Sequence, residues 1–144
     1  MTWTGLVWEK KAEEWLSPVE GIITSACGER MNPVLGKQEY HNGLDIAVAE
    51  GTEVVAVKSG RVTEVRNSAT YGKVLKYKTA DGYEVMYAHL SAVLVKMGEE
   101  IRQGQVVAKS GNTGLSTGPH LHYSVWKEGE LIDPMEFLSS EAMI

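Results

Sequence analysis

Apolar and polar residues change rhythm at Ser17-Pro18. Before that point Trp8, Ala12, Trp15 and Leu16 recur at helical spacing, and Glu9, Lys10, Lys11, Glu13 and Glu14 fall mostly off the stripe. That spacing predicts a short amphipathic helix. After Pro18 the apolar residues come in short runs: GIITSA, TEVVAVKS, RVTEVRN, KVLKYKT, YEVMYAHL, QVVAKSG and LHYSVWK. The runs are rich in Val, Ile, Tyr and Thr, several alternate, and turn formers separate them, so they read as β-strands. Lys58-Ser59-Gly60, Thr79-Ala80-Asp81-Gly82 and Glu128-Gly129-Glu130 have the composition of hairpin turns. From Asp133-Pro134 to Leu138 the chain reads as one more helical turn, with Asp133 as N-cap and Pro134 in the first helical position.

The expectation is a mostly antiparallel all-β domain over 18–144, preceded by an N-terminal helical segment over 1–17. A faint internal echo runs through the domain. GTEVVAVKSGRVTEV resembles MGEEIRQGQVVAKSG in setting a glycine turn beside a valine-rich strand, too weakly for a solenoid.

Composition narrows the class. The chain has 144 residues, 43% hydrophobic and 23% charged, which suits one soluble globular unit with a real core. A formal net charge of −5 argues against a nucleic-acid partner and against charge-only attachment to an anionic membrane. No apolar run has the length of a transmembrane segment, and MTWTGLVWEKKAEEW lacks the apolar stretch of an export signal. The chain reads either as cytosolic or as the soluble part of a longer exported protein. Cys27, the single cysteine, can form neither an internal disulfide nor a cysteine-rich metal site. The N-terminal tryptophans are expected to pack on the main domain; a docking surface for a partner protein is the other reading.

The chemistry sits in the histidines. His120 and His122 are two apart, so on a strand both imidazoles project from one face while Leu121 and Tyr123 enter the core. His41 and Asp45, in HNGLD, pair an imidazole with a carboxylate, a combination that suits zinc. Catalytic zinc takes three protein ligands and leaves a fourth position for water. His41, Asp45 and one of His120 and His122 supply such a set. The other histidine of the pair, with His89, would flank the water as proton acceptor and oxyanion stabiliser. Spacing alone leaves open which of the pair holds the metal. Either motif by itself carries little weight. Their weight comes from all four histidines of the chain fitting one site. The intervening GNTGLSTGP run is a loop of turn formers that can wall a substrate groove.

These residues carry a family resemblance. Residues 19–137 resemble the lysostaphin-type, or LytM-like, zinc endopeptidases that cut bacterial peptidoglycan. The matching pieces are GIITSACGERMNP, HNGLDIAVAEGTEVVAVKSGRV, YGKVLKYKTADGYEVMYAHLS, MGEEIRQGQVVAKSGNTGLSTGPHLHYSV and IDP. The resemblance implies an antiparallel β-sheet domain with a central groove, of the duplicated-hybrid-motif type, which the internal echo fits. It implies Zn2+ as cofactor, with His41, Asp45 and His122 as ligands, His120 as general base and His89 as the second catalytic histidine. It places Asn32 at the substrate groove, which Asn112, Thr113, Ser116 and Thr117 of the GNTGLSTGP loop are read as lining. In relatives that cut glycine bridges a tyrosine precedes the proline where Asn32 precedes Pro33 here, so a stem-peptide bond or a direct cross-link is expected at least as readily as a glycyl-glycine bond. The implied partners are peptidoglycan peptides and the implied location is extracytoplasmic, with the export signal outside this chain.

Two rival functions remain at this level. One is a non-hydrolytic cell-wall or sporulation scaffold that binds peptidoglycan or a partner protein. The other is a biotinyl- or lipoyl-type carrier domain, suggested by VKSGRV and GEEIRQGQVV, which would need Lys58 exposed at a hairpin tip.

Overall fold

The computed structural model describes residues 14–25, 28–32, 37–41, 43–116 and 118–137, together with two short strands at 2–4 and 7–9; side chains are described for 14–24, 43–116 and 118–137. The strands are Thr2–Thr4 (β1), Val7–Glu9 (β2), Ile22–Ser25 (β3), Gly28–Asn32 (β4), Lys37–His41 (β5), Leu44–Ala47 (β6), Glu53–Val55 (β7) and Gly60–Ser68 (β8). They continue with Gly72–Thr79 (β9), Tyr83–Leu90 (β10), Ala92–Val93 (β11), Glu100–Ile101 (β12), Val106–Lys109 (β13), His120–Lys127 (β14) and Glu130–Ile132 (β15). A 3-10 turn, Pro134–Phe137, follows, and Asp133 caps it by accepting the Met135 N–H at 3.0 Å.

The main sheet runs β12-β8-β9-β10-β14-β6-β3, with β15 also on β14, and every pairing in it is antiparallel. A second sheet, β11-β13-β7, is also antiparallel. The all-β antiparallel expectation holds. Alternation decides what each strand buries. Along β14, Leu121, Tyr123 and Val125 are fully buried in the core, beside Val85 and Tyr87 of β10 and Leu44 and Ile46 of β6. The opposite face of the same strands carries His120, His122, Asp45 and Ala88. Burying the first set therefore presents the second as a group.

The two halves of the internal echo pair with each other. β7 runs against β13 and β8 against β12. Ala56 donates its N–H to Gln105 O and accepts from Gly104 N–H, both at 2.9 Å, and Val62 makes the same double exchange with Glu99 and Gly98. Two similar segments thus close on one another like a duplicated unit. Lys58-Ser59-Gly60 is accordingly not a hairpin turn, because β7 and β8 belong to different sheets. Thr79–Gly82 does turn a hairpin, with the Gly82 N–H on Thr79 O at 3.1 Å and a left-handed φ of 92°. Glu128-Gly129 likewise turns β14 into β15.

The N-terminal helix is not found in the described residues. Val7–Glu9 is a strand paired with Thr2–Thr4, residues 14–17 carry no helix, and residues 10–13 lie outside the described set. The physical reason lies in the docking of the segment's end. Leu16 gives its N–H to Val57 O at 3.1 Å instead of to a helical turn. Trp15 stands edge-on against Tyr83, with ring centroids 4.9 Å apart. Lys58 Nζ lies 5.2 Å from the Trp15 ring centre and pairs with Asp81 at 2.6 Å. Partial burial pushes the Asp81 carboxyl upward, but hydrogen bonds from Lys58 and Thr79 and the Lys58 charge outweigh it and hold the group below its usual range. Lys58 is 5% exposed, so the carrier-domain reading, which requires an exposed lysine tip, fails.

Candidate active site

Strand pairing builds the centre. In the β14–β6 register His122 stands opposite Asp45 and His120 opposite Ala47, while across β10 His122 faces Ala88. His122 Nδ1 lies 3.0 Å from Asp45 Oδ1, and Nε2 lies 3.0 Å from Ser124 Oγ. The ring is 3% exposed. Gly43 allows this packing. A Cβ there would sit 2.6 Å from His122 Nε2 and would collide with Ser124 Oγ.

His120 is set by the loop before it. Its Nδ1 lies 2.8 Å from Gly118 O and 3.1 Å from Ser116 Oγ, and the Ser116 hydroxyl donates to Gly118 O at 2.9 Å. A carbonyl only accepts, so in the neutral ring the His120 proton sits on Nδ1 and the lone pair on Nε2. That Nε2 lies 3.8 Å from Asp45 Oδ1.

His89 reaches the same place by an irregularity. The β9–β10 register shifts between Tyr87 and Leu90, and His89 has φ 59°. Its N–H donates to Tyr71 O at 2.7 Å and its Nδ1–H to Thr113 O at 2.6 Å. The ring centroid is 4.8 Å from that of His120 and 6.1 Å from that of His122. Burial, above all, pulls the His89 pKa below its ordinary imidazole value. The neighbouring His120 and His122 act in the same direction, against the Thr113 carbonyl and Asp45. His89 is therefore neutral near pH 7, with its proton on Nδ1 and its lone pair on Nε2.

Four of the five histidine and aspartate residues singled out in the sequence, Asp45, His89, His120 and His122, converge. The fifth, His41, ends β5 two residues before Gly43, and its side chain lies outside the described residues. The Asn32 side chain and Thr117 lie outside them too. Asn112 is exposed on the loop between β13 and β14. Thr113 and Ser116 of that loop make hydrogen bonds to His89 and His120. Sequence reasoning missed Ser124, Gly43 and Tyr71, whose ring lies 5.7 Å from His122 and 6.2 Å from His89. The HxHxS pattern could have revealed Ser124, since it shares a strand face with both histidines. Nothing local marks Tyr71.

Among the described residues no group of three metal-ligating side chains forms. The described pair nevertheless fits a metal. Ligand atoms about 2.0–2.2 Å from one tetrahedral zinc stand roughly 3.3 Å apart; Asp45 Oδ1 and His122 Nδ1 are 3.0 Å apart. An imidazole nitrogen and a carboxylate oxygen are also the donor types zinc takes.

Residues 39–134 match the profile of Peptidase family M23. The chain belongs to peptidase family M23. It is 40% identical over 113 residues to the DD-carboxypeptidase/endopeptidase Mpg of Neisseria meningitidis serogroup B, covering 78% of this chain and 26% of that protein. It is 38% identical over 107 residues to the peptidoglycan DD-endopeptidase ShyA of Vibrio cholerae, covering 74% of this chain and 25% of that one. Among solved structures it superposes on a zinc-containing peptidase from Vibrio cholerae with a TM-score of 0.80 and 35% identity, covering 85% of this chain and 40% of that one. The lysostaphin-type resemblance read from the sequence holds at the level of the family. The M23 chain spans about a quarter of the length of the two named relatives.

Proposed function

We propose that this M23 chain hydrolyses peptide bonds in bacterial peptidoglycan, with zinc held by His41, Asp45 and His122 and with His120 and His89 as the catalytic histidines. The observation that carries the reading is the convergence of Asp45, His89, His120 and His122, with Asp45 and His122 at ligand-pair distance. Bound zinc supplies Lewis acidity, lowering the pKa of water to about 7 and polarising the scissile carbonyl.

The protein's own groups do the rest. His120 is pinned through Nδ1 to Gly118 O, so Nε2 is the atom that takes the proton from water as its oxygen adds to the carbonyl carbon. The same Nε2–H then donates to the departing amine nitrogen as the C–N bond breaks. His89 also offers a bare Nε2 while neutral, so it first orients the water by accepting from it. It can donate to the carbonyl oxygen only as imidazolium. General acid–base help of this kind contributes ~10²–10⁴-fold.

The names of the DD-endopeptidase relatives favour a stem-peptide cross-link over a glycine bridge as target. We take 18–144 as the peptidase unit, 1–17 as an appended segment, and the working site as extracytoplasmic, where peptidoglycan lies. The test is digestion of purified peptidoglycan and of defined cross-linked fragments, with mass analysis of products. Release of uncross-linked peptides that a chelator stops and zinc restores is expected. A zinc-loaded protein that binds wall material yet releases nothing overturns the reading in favour of the scaffold.

A further inference from the structure

Alternation along β10 should send His89 into the core. Val85 and Tyr87 are core residues, and Met86 and Ala88 lie on the other face. His89 escapes because the β9–β10 ladder breaks beside it, between the pairings Tyr87↔Leu75 and Leu90↔Lys73. A left-handed backbone disfavours a residue with a Cβ, so it persists only where the surroundings hold it.

The holder is Thr113. Its Oγ1 accepts the Lys73 N–H at 3.1 Å and donates to Leu90 O at 2.7 Å. One hydroxyl therefore stands between β9 and β10 just beyond the break. The carbonyl of the same residue accepts the His89 Nδ1–H at 2.6 Å. Gly72 makes the approach possible. It has φ 67°, and a Cβ there would sit 2.5 Å from the Thr113 carbonyl carbon and collide with Oγ1. Gly114, φ 74°, packs back on Thr70 O, where a Cβ would sit 2.7 Å away, and Leu115 N–H donates to Thr70 O at 2.9 Å. The loop is thus fastened on both sides of Thr113.

We propose that Thr113 is a positioning residue: its hydroxyl wedges the β9–β10 ladder open and its carbonyl fixes the His89 proton on Nδ1, so that Nε2 is the atom delivered to the site. The proposal rests on the reading of His89 as part of the hydrolytic centre. It distinguishes Thr113 from a substrate-groove residue, which would act on KM.

The experiment uses Thr113→Val, which keeps the shape and loses the hydroxyl, and Thr113→Ser, which keeps the hydroxyl. Long-range 1H–15N spectra report the His89 tautomer, and hydrolysis of a defined cross-linked fragment reports kcat and KM. The wild-type chain shows His89 protonated at Nδ1. Thr113→Val loses that single tautomer and about tenfold or more in kcat, part of the ~10²–10⁴-fold that a positioned acid–base group contributes, with KM and zinc content little changed. Thr113→Ser restores both to within about threefold. A wild-type His89 protonated at Nε2 overturns the proposal even if Thr113→Val does not fold, and so does a Thr113→Val chain with wild-type tautomer and kcat. If the wild type cleaves no wall material while the tautomer still follows the hydroxyl, the hydrolase reading falls and the positioning role stands.

Discussion

Ser124→Ala tests the proposed metal centre without touching a ligand. His122 can hold a metal through Nδ1 only if that nitrogen has no proton, so the ring proton must move to Nε2. Nε2 is 3.0 Å from Ser124 Oγ, which then accepts the N–H. Without metal, Nδ1 faces Asp45 Oδ1 at 3.0 Å and can carry the proton itself, while the serine hydroxyl turns to donate to Nε2. Serine suits both states because a hydroxyl both donates and accepts. Alanine takes away the acceptor that the metal-holding tautomer uses. The ring is 3% exposed, so little water replaces it. Losing a partner for a buried donor costs about 1–3 kcal/mol, which corresponds to roughly 5- to 150-fold in metal affinity. Zinc competition against a chromophoric chelator measures this directly. Ser124→Ala is expected to raise the zinc Kd about fivefold or more, because a stranded Nε2–H costs more than a stranded lone pair, and also to lower the metal-free melting midpoint, where Nε2 loses the hydroxyl it accepts from. Gly43→Ala is expected to do the same or worse, because its Cβ would press on both Ser124 Oγ and His122 Nε2. A Ser124→Ala protein with zinc affinity within twofold of wild type refutes the reasoning.

Asp45→Asn and His122→Ala are expected to lose bound zinc and activity together, whereas His120→Ala and His89→Ala keep zinc by elemental analysis and lose ~10²-fold or more of hydrolysis; an active His120→Ala removes His120 as the base. In the core, the Val57 N–H donates to Tyr77 Oη at 3.0 Å, Tyr77 bonds Tyr87 Oη at 2.7 Å, and Tyr87 donates to Val55 O at 2.8 Å, but the buried Tyr123 Oη has no hydrogen-bond partner among the described residues. Tyr123→Phe should therefore leave stability unchanged or raise it by about 1 kcal/mol, and Tyr77→Phe should lower it by ~1–3 kcal/mol, with a melting shift of roughly 3–4 °C per kcal/mol; a Tyr123→Phe chain that melts several degrees lower defeats this. Burial holds His89 below its unfolded pKa, so its contribution to stability is complete above about pH 6.5 and is lost as the pH falls through the interval down to its folded value. Chelated wild type should thus lose stability between neutral and mildly acidic pH more steeply than chelated His89→Gln, and parallel curves for the two would contradict it.

What the sequence revealed and what it hid divide along a physical line. The strand run YEVMYAHL coincides with β10, Tyr83–Leu90, because composition and alternation there agree with burial on the core face. HLH was legible for the same reason: a period of two separates a core face from a site face, and Leu121 and Tyr123 are fully buried as that period requires. The N-terminal stripe misled because helical spacing is only a local preference. Trp15 and Leu16 are held instead by Tyr83 and Val57, far along the chain. His89 shows the limit most clearly. Pattern alone assigns it to the core beside Tyr87, and only the broken ladder at Thr113 turns it out to within 4.8 Å of His120. Such a break costs backbone energy that nothing local to YAHL repays. The residues that stabilise it, Gly72 and Thr113, lie in other segments and look like ordinary turn formers. A site built on regular strands can be placed from its own residues, whereas His89 is named by the count of histidines and by the family resemblance, and its delivery to the site is explained only by the distant residue that holds the irregularity in place.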